Sequence, residues 1–199
     1  MHRRASPTPE TGWAHLPESW STTHLLFSAV RGEAVSLWAL SLADRRASLL
    51  VGVTSTTPMS AVFSPDGRWI AYNVMANGHH TVYVRPFPVT QAVYEVSRND
   101  DGHHPVWSRD GRELFFAPGP RQLLAVKVQF TPSFSFSSPV ALAGAGLMGP
   151  GDTPRHYDIL PDGARFIGRQ VADDEETRAG GAPRIQVVTN LLEAIQRRR

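Results

Sequence analysis

A chain of 199 residues with 41% hydrophobic and 19% charged residues is long enough to bury one substantial core and has a globular composition. It has no cysteine, which excludes disulfides, thiol catalysis and cysteine-ligated zinc. It has no run of about 18 apolar residues, which excludes a membrane-spanning helix, and its net charge of +2 demands no polyanion, so neither a membrane nor a nucleic acid is an expected partner. Sixteen glycines and sixteen prolines favour an all-β chain with many turns.

Residues 1–16 are polar and proline-bearing, follow neither strand nor helix period, and read as a loose lead-in. Basic residues near Met1 are followed by no apolar stretch, so if Met1 is the natural start the product is expected to be cytoplasmic. Order is expected from near Trp20. His24 to Ala29, Val35 to Leu40 and Ala47 to Val51 read as three short strands, with turns at Arg31-Gly32-Glu33 and Ala43-Asp44-Arg45 between them.

The next unit carries the clearest phrase, Ser64-Pro65-Asp66-Gly67 followed by Arg68-Trp69-Ile70-Ala71-Tyr72. Proline presets φ at the second turn position, aspartate can bond the backbone two residues on, and glycine accepts the positive φ that closes the turn. Ala61 to Phe63 enters this turn and Trp69 to Val74 leaves it. Asn77-Gly78 predicts a tight hairpin into Thr81 to Arg85, and Val93 to Ser97 closes the unit.

The phrase returns as Ser108-Arg109-Asp110-Gly111 between Val106-Trp107 and Glu113 to Ala117, with further strands over Leu123 to Gln129 and Val140 to Leu142. It returns again as Leu160-Pro161-Asp162-Gly163 between Tyr157 to Leu160 and Arg165 to Arg169. An acidic loop, Asp173 to Gly181, and a strand over Ile185 to Thr189 follow. A fourth, eroded copy is read upstream in Ser19 to Phe27, without the Asp-Gly. Leucine and isoleucine at helical spacing over Leu191 to Arg199, ending in three arginines, predict a short C-terminal helix.

Gly67, Gly111 and Gly163 are spaced by 44 and 52 residues, close to the roughly 40–50 residues of a four-stranded propeller blade. The expected fold is therefore an all-β β-propeller of about four antiparallel blades, at 17–58, 59–103, 104–154 and 155–199, the first and last incomplete. Such sheets must bury their faces against one another. Phe63, Trp69, Tyr72, Tyr83, Trp107, Phe115, Phe116 and Phe166 are assigned to the layers between them.

With these repeats in place, the chain resembles the TolB-like, WD-repeat-like propellers of bacteria, whose blades carry a Phe/Trp-Ser-Pro-Asp-Gly turn before an Ile-Ala-Tyr strand. Phe63 to Tyr72, Val82-Tyr83-Val84-Arg85-Pro86-Phe87-Pro88 and Pro105 to Phe116 are similar in particular to the C-terminal propeller region of bacterial receptor-like serine/threonine kinases. The kinase catalytic motifs are absent from this chain, so no kinase activity is implied. The resemblance implies a non-enzymatic module that binds a protein or peptide and is part of a larger propeller, with a homodimer as one way to complete the ring. Alternatives are a remnant or sensor portion acting with a separate kinase domain, or the propeller accessory of a prolyl oligopeptidase-like hydrolase. A membrane-anchored parent of the kinase type would place the module in the periplasm or outside the cell.

No residue pattern reaches a catalytic, cofactor or metal signature. Gly144-Ala145-Gly146-Leu147-Met148-Gly149 fits a dinucleotide spacing, but Pro150 and Pro154 follow where a helix would have to start. His79-His80 and His103-His104 invite a metal reading in which each pair, pointing to opposite faces of a strand, offers one ligand; polar loop residues are the default. No Gly-x-Ser-x-Gly elbow accompanies Ser64. Asp66, Asp110 and Asp162 recur because the turn needs them, and the loop Asp173 to Glu176 reads as solvated.

Overall fold

Short extended runs joined by turns and loops give sixteen strands among the described residues of the computed structural model, which describes residues 12–97, 101–119, 122–142, 153–163, 165–169 and 185–188. The first sheet is the meander β1 (Ala14–Trp20), β2 (His24–Arg31), β3 (Ala34–Ser41) and β4 (Ala47–Ser55). The second is β5 (Val62–Phe63), β6 (Trp69–Ala76), β7 (His79–Pro86) and β8 (Tyr94–Glu95). In the third, β9 (His103–Trp107), β10 (Glu113–Ala117) and β11 (Leu124–Gln129) run in order. The outer edge of β11 is shared by β12 (Ser135–Phe136) and β13 (Val140–Ala141). The fourth holds β14 (Tyr157–Ile159), β15 (Phe166–Arg169) and β16 (Ile185–Val188).

All pairings are antiparallel, and three apolar layers join the four sheets in sequence. Leu26, Leu37, Leu50 and Met59 meet Phe63, Ile70 and Tyr72 between the first and second sheets. Val82, Val84 and Val96 meet Trp107, Leu114, Phe116 and Val126 between the second and third. Phe115, Val106 and Leu123 meet Tyr157 and Phe166 between the third and fourth. All eight aromatic residues assigned from the sequence lie in or against these layers. Neighbouring side chains on one strand go to different layers, Phe115 to one and Phe116 to the other, because a strand alternates its faces.

The Asp-Gly turn is built the same way twice. Ser64 Oγ donates to Asp66 Oδ1 at 2.6 Å and accepts from Trp69 N–H at 3.0 Å, while Arg68 N–H donates to Asp66 Oδ1 at 3.0 Å. Ser108, Asp110, Arg112 and Glu113 repeat these bonds at 2.7, 3.0 and 2.9 Å. In the third copy Leu160 has no hydroxyl, and Asp162 instead takes the Arg165 backbone N–H and guanidinium. Gly67, Gly111 and Gly163 all have φ of +69°. The turns also stack from blade to blade: a Cβ built on Gly67 would meet Ser21, one on Gly111 would meet Pro65, and one on Gly163 would meet Arg109, each at 3.5–3.6 Å.

The eroded first copy is a shorter turn. Ser21 N–H donates to His24 O at 2.8 Å, and Ser21 Oγ accepts from the backbone of Thr23 and His24. Two residues fewer make the positive-φ glycine unnecessary. Two expectations are corrected here. The strand β1 begins at Ala14, so order starts before Trp20 and the lead-in does not extend to residue 16; the first sheet accordingly has all four strands. Its apolar period is absent because most of its side chains face solvent, and it is formed by backbone pairing to β2, with Pro17 at a register shift where a missing N–H costs no ladder bond. The two residues of β12 carry no period, and the strands expected from the sequence in this unit do not include them. Asn77 and Gly78, at φ 52° and 81°, make the expected hairpin turn. Residues 1–11 of the lead-in, the glycine-rich stretch at 144–149, the acidic loop and the C-terminal helix lie outside the described residues.

Replacing Ser64 by alanine removes a hydroxyl that both donates and accepts inside the turn, with an expected loss of about 1–2 kcal/mol in urea unfolding. Gly111→Ala is expected to cost about 1 kcal/mol through its left-handed φ. Gly119→Ala, with open space around it, is expected to stay within about 0.5 kcal/mol of the parent.

Candidate functional site

The first strands of successive sheets lie side by side, β1 against β5 and β5 against β9, and polar side chains from all four sheets gather near them. Glu18, on β1, sits at the register shift after Pro17. Its Oε1 accepts from Ser28 Oγ at 2.6 Å. Burial pushes the Glu18 carboxyl above its ordinary range, against the Ser28 hydroxyl, the Met59 and Ala61 backbone and the Arg155 charge, which all favour the ionised form. Arg155 reaches it from just before β14, and its guanidinium also donates to Pro105 O at 3.4 Å and lies 4.0 Å from Asp158. Pro17, Glu18, Ser19, Trp20, Leu25 and Arg155 line a cavity of about 380 Å³. Trp20 stands at it with 79% of its surface exposed.

From Arg155 the polar band continues through four histidines. His156 follows it in sequence, and its ring lies 5.9 Å from that of His104; His104 lies 4.6 Å from His103, and His103 lies 5.6 Å from His80. The second, third and fourth sheets are thereby linked at the end opposite the Asp-Gly turns. His104 Nε2–H donates to Thr153 O at 2.7 Å, so its Nδ1 is the bare nitrogen and accepts from His103 Nδ1–H at 3.0 Å. Asn73, fully buried, accepts from His104 N–H and donates to Pro58 O and toward His80 Nδ1. Tyr157 donates its hydroxyl to His104 O, and burial pushes the ionisation of that phenol far up. His80 N–H donates to Asp101 Oδ1 at 2.6 Å.

Burial holds the imidazoliums of His103 and His104 off, lowering their ionisation to about 3 and about 4, with the neighbouring histidines adding to the effect at both and Arg155 at His104. The expectation that adjacent histidines point to opposite faces fails at this pair. His104 has φ 54°, and the pairing slips there, with Val106 opposite Phe115 but His103 opposite Ala117, so both Nδ1 atoms turn to one side. The second sheet bends at the same repeat position: Ser60, φ 47°, stands seven residues before Gly67 as His104 does before Gly111. His156 stands seven before Gly163. Among the described residues no group of three or more His, Asp or Glu side chains is placed to hold a metal ion. His79 is exposed at the hairpin, apart from the cluster.

The residues singled out from the sequence, Ser64, Pro65, Asp66, Gly67, Asp110, Gly111, Pro161, Asp162 and Gly163, all lie in the turns at the other end. Glu18, Trp20, Arg155 and His156 were not singled out. Aligning the repeats by their turn glycines is the signal that pairs His156 with His104.

No protein-family model matches this chain, and no curated protein is recognisably related to it by sequence. Solved structures are similar to it. TolB from Acinetobacter baumannii superposes with a TM-score of 0.62 at 14% identity, over 90% of this chain and 41% of its own. A protein assigned as TolB from Agrobacterium tumefaciens gives 0.59 at 20% identity, over 88% and 57%. The fold is that of a TolB-like β-propeller. An oligogalacturonate lyase in complex with manganese shares it, with a TM-score of 0.52 at 12% identity over 89% of this chain and 54% of its own. The chain thus spans about half the length of the TolB-like propellers it matches.

Because His103 and His104 are held neutral in the folded propeller while an unfolded histidine titrates near 6.5, their contribution to stability is complete above that pH. It falls as the pH drops from about 6.5 toward 4, by at most ~1.4 kcal/mol per pH unit for each ring. The melting temperature is expected to decline over this window, and His103→Gln to decline less steeply.

Proposed function

We propose that the chain is a non-catalytic propeller module that holds a protein or peptide segment in the cavity on its inner side. The observation that carries this reading is the company kept there: an almost fully exposed tryptophan, a carboxylate and a guanidinium around one opening of about 380 Å³. A tryptophan face supplies apolar contact at small entropic cost, and the two charges orient a backbone or a terminus. The nearby histidines suit a scaffold better than a reaction centre, since His103 and His104 are bonded to each other and His104 to Thr153 O.

The chain's span of about half the length of TolB-like propellers accords with a second element of this reading, that it is one part of a larger propeller whose remaining blades belong to the same longer protein or to a second copy of this chain. The kinase-associated setting implied by the sequence resemblance is one proposal for the protein to which the module is attached.

Peptides selected from a displayed library on the purified chain test the cavity. Selected peptides are expected to quench Trp20 fluorescence and to bind Trp20→Ala and Arg155→Gln at least about tenfold more weakly, the loss of one interface anchor. Enrichment of no peptide, or equal binding to both variants, overturns the reading. Light scattering of the purified chain tests the partner: a discrete dimer is expected, and a monomer rules out the second copy.

A further inference from the structure

A second opening lies between the outer strands of the first and second sheets, away from the inner cavity. On β4 the pairing with β3 jumps from Ser36 opposite Thr54 to Trp38 opposite Leu49, so four residues, 50–53, stand opposite Leu37 alone. Leu50 and Val53 of this bulge turn into the apolar layer. Gly52, at φ 79°, has nothing within 4 Å of the position a Cβ would take. The bulge thus leaves a wedge of about 690 Å³ facing β6 and β7, roofed by the loop Val89 to Val93.

Its floor is polar and its walls are apolar. Arg85, 4% exposed, donates from Nη2 to Thr90 O at 2.9 Å and is hydrogen-bonded to the Tyr72 hydroxyl. A guanidinium only donates, so the Tyr72 oxygen accepts that bond and its own O–H remains a donor for another group. Tyr72 and Tyr83 stack with centroids 5.8 Å apart and planes 28° apart, and Val74, Val89 and Val93 complete the apolar lining. A permanent cation, a phenol donor and a flat aromatic wall therefore meet in one cavity of the size that takes a small molecule.

We propose that this wedge binds a small organic anion, a carboxylate carrying a flat apolar body, with the carboxylate on Arg85 and Tyr72 and the body along Tyr83 and the valines. Planar bidentate recognition of a carboxylate is what arginine does best. A purely structural arginine, pinning the Thr90 loop and the Tyr72 hydroxyl, does not account for the volume beside it or for the bulge that opens it.

Benzoate, benzamide and benzylammonium titrated into ¹⁵N-labelled protein test the proposal, with amide shifts of Gly52, Thr90 and Gln91 as the readout. Benzoate is expected to saturate these shifts, while the neutral and cationic analogues bind at least about tenfold more weakly. Arg85→Met removes the charge, and Gln91→Trp, on the exposed loop, fills the mouth without touching the arginine; both are expected to abolish the benzoate response with the β-sheet circular dichroism unchanged. If Arg85→Met does not fold, Gln91→Trp and the analogue series decide alone. An equal response to all three probes, none to any, or a benzoate response retained in Gln91→Trp overturns the assignment.

Discussion

The propeller depends on one turn more than on any single core residue. In Ser64 to Trp69 and again in Ser108 to Glu113, a serine hydroxyl and an aspartate carboxylate hold each other and two backbone amides, so the chain leaves the first strand and enters the second at a fixed angle. Each turn glycine then faces the preceding turn, Gly111 toward Pro65 and Gly163 toward Arg109, so successive sheets are also aligned side by side at their turn end. The layers follow from that placement. Phe115 and Phe116, adjacent in sequence, serve two different layers only because β10 stands between two sheets at the right spacing.

Much of this was legible in the sequence because the governing interactions are local. Pro-Asp-Gly declares its own conformation, Asn77-Gly78 declares a hairpin, and β10 was read to the residue at Glu113–Ala117. β1 was not legible. Its side chains carry no pattern and its cause lies in the backbone of β2. The same holds for β12, which two residues on the edge of β11 define.

The candidate site was hardly legible, since each part of it is set by something distant or by a departure from regularity. Glu18 and Arg155 lie on the first and fourth repeats of the sequence and line one cavity only because the sheets are arranged around an axis. The side-by-side histidines arise from a bulge at His104, and the wedge beneath Arg85 from another at β4; alternation, the rule that reads strands, misplaces a side chain wherever a bulge intervenes.

The bend shared by Ser60 and His104 has a consequence for how such a chain diversifies. Two of the repeats carry a positive-φ residue seven positions ahead of the turn glycine, a serine in one and a histidine in the other. The kink forms with a hydroxyl at Ser60 and with an imidazole bonded to Thr153 O at His104, so the bend of the backbone does not prescribe the chemistry of the side chain it carries. The inner surface can therefore be rewritten one copy at a time, and two propellers with the same skeleton can come to face their ligands with unrelated chemistry.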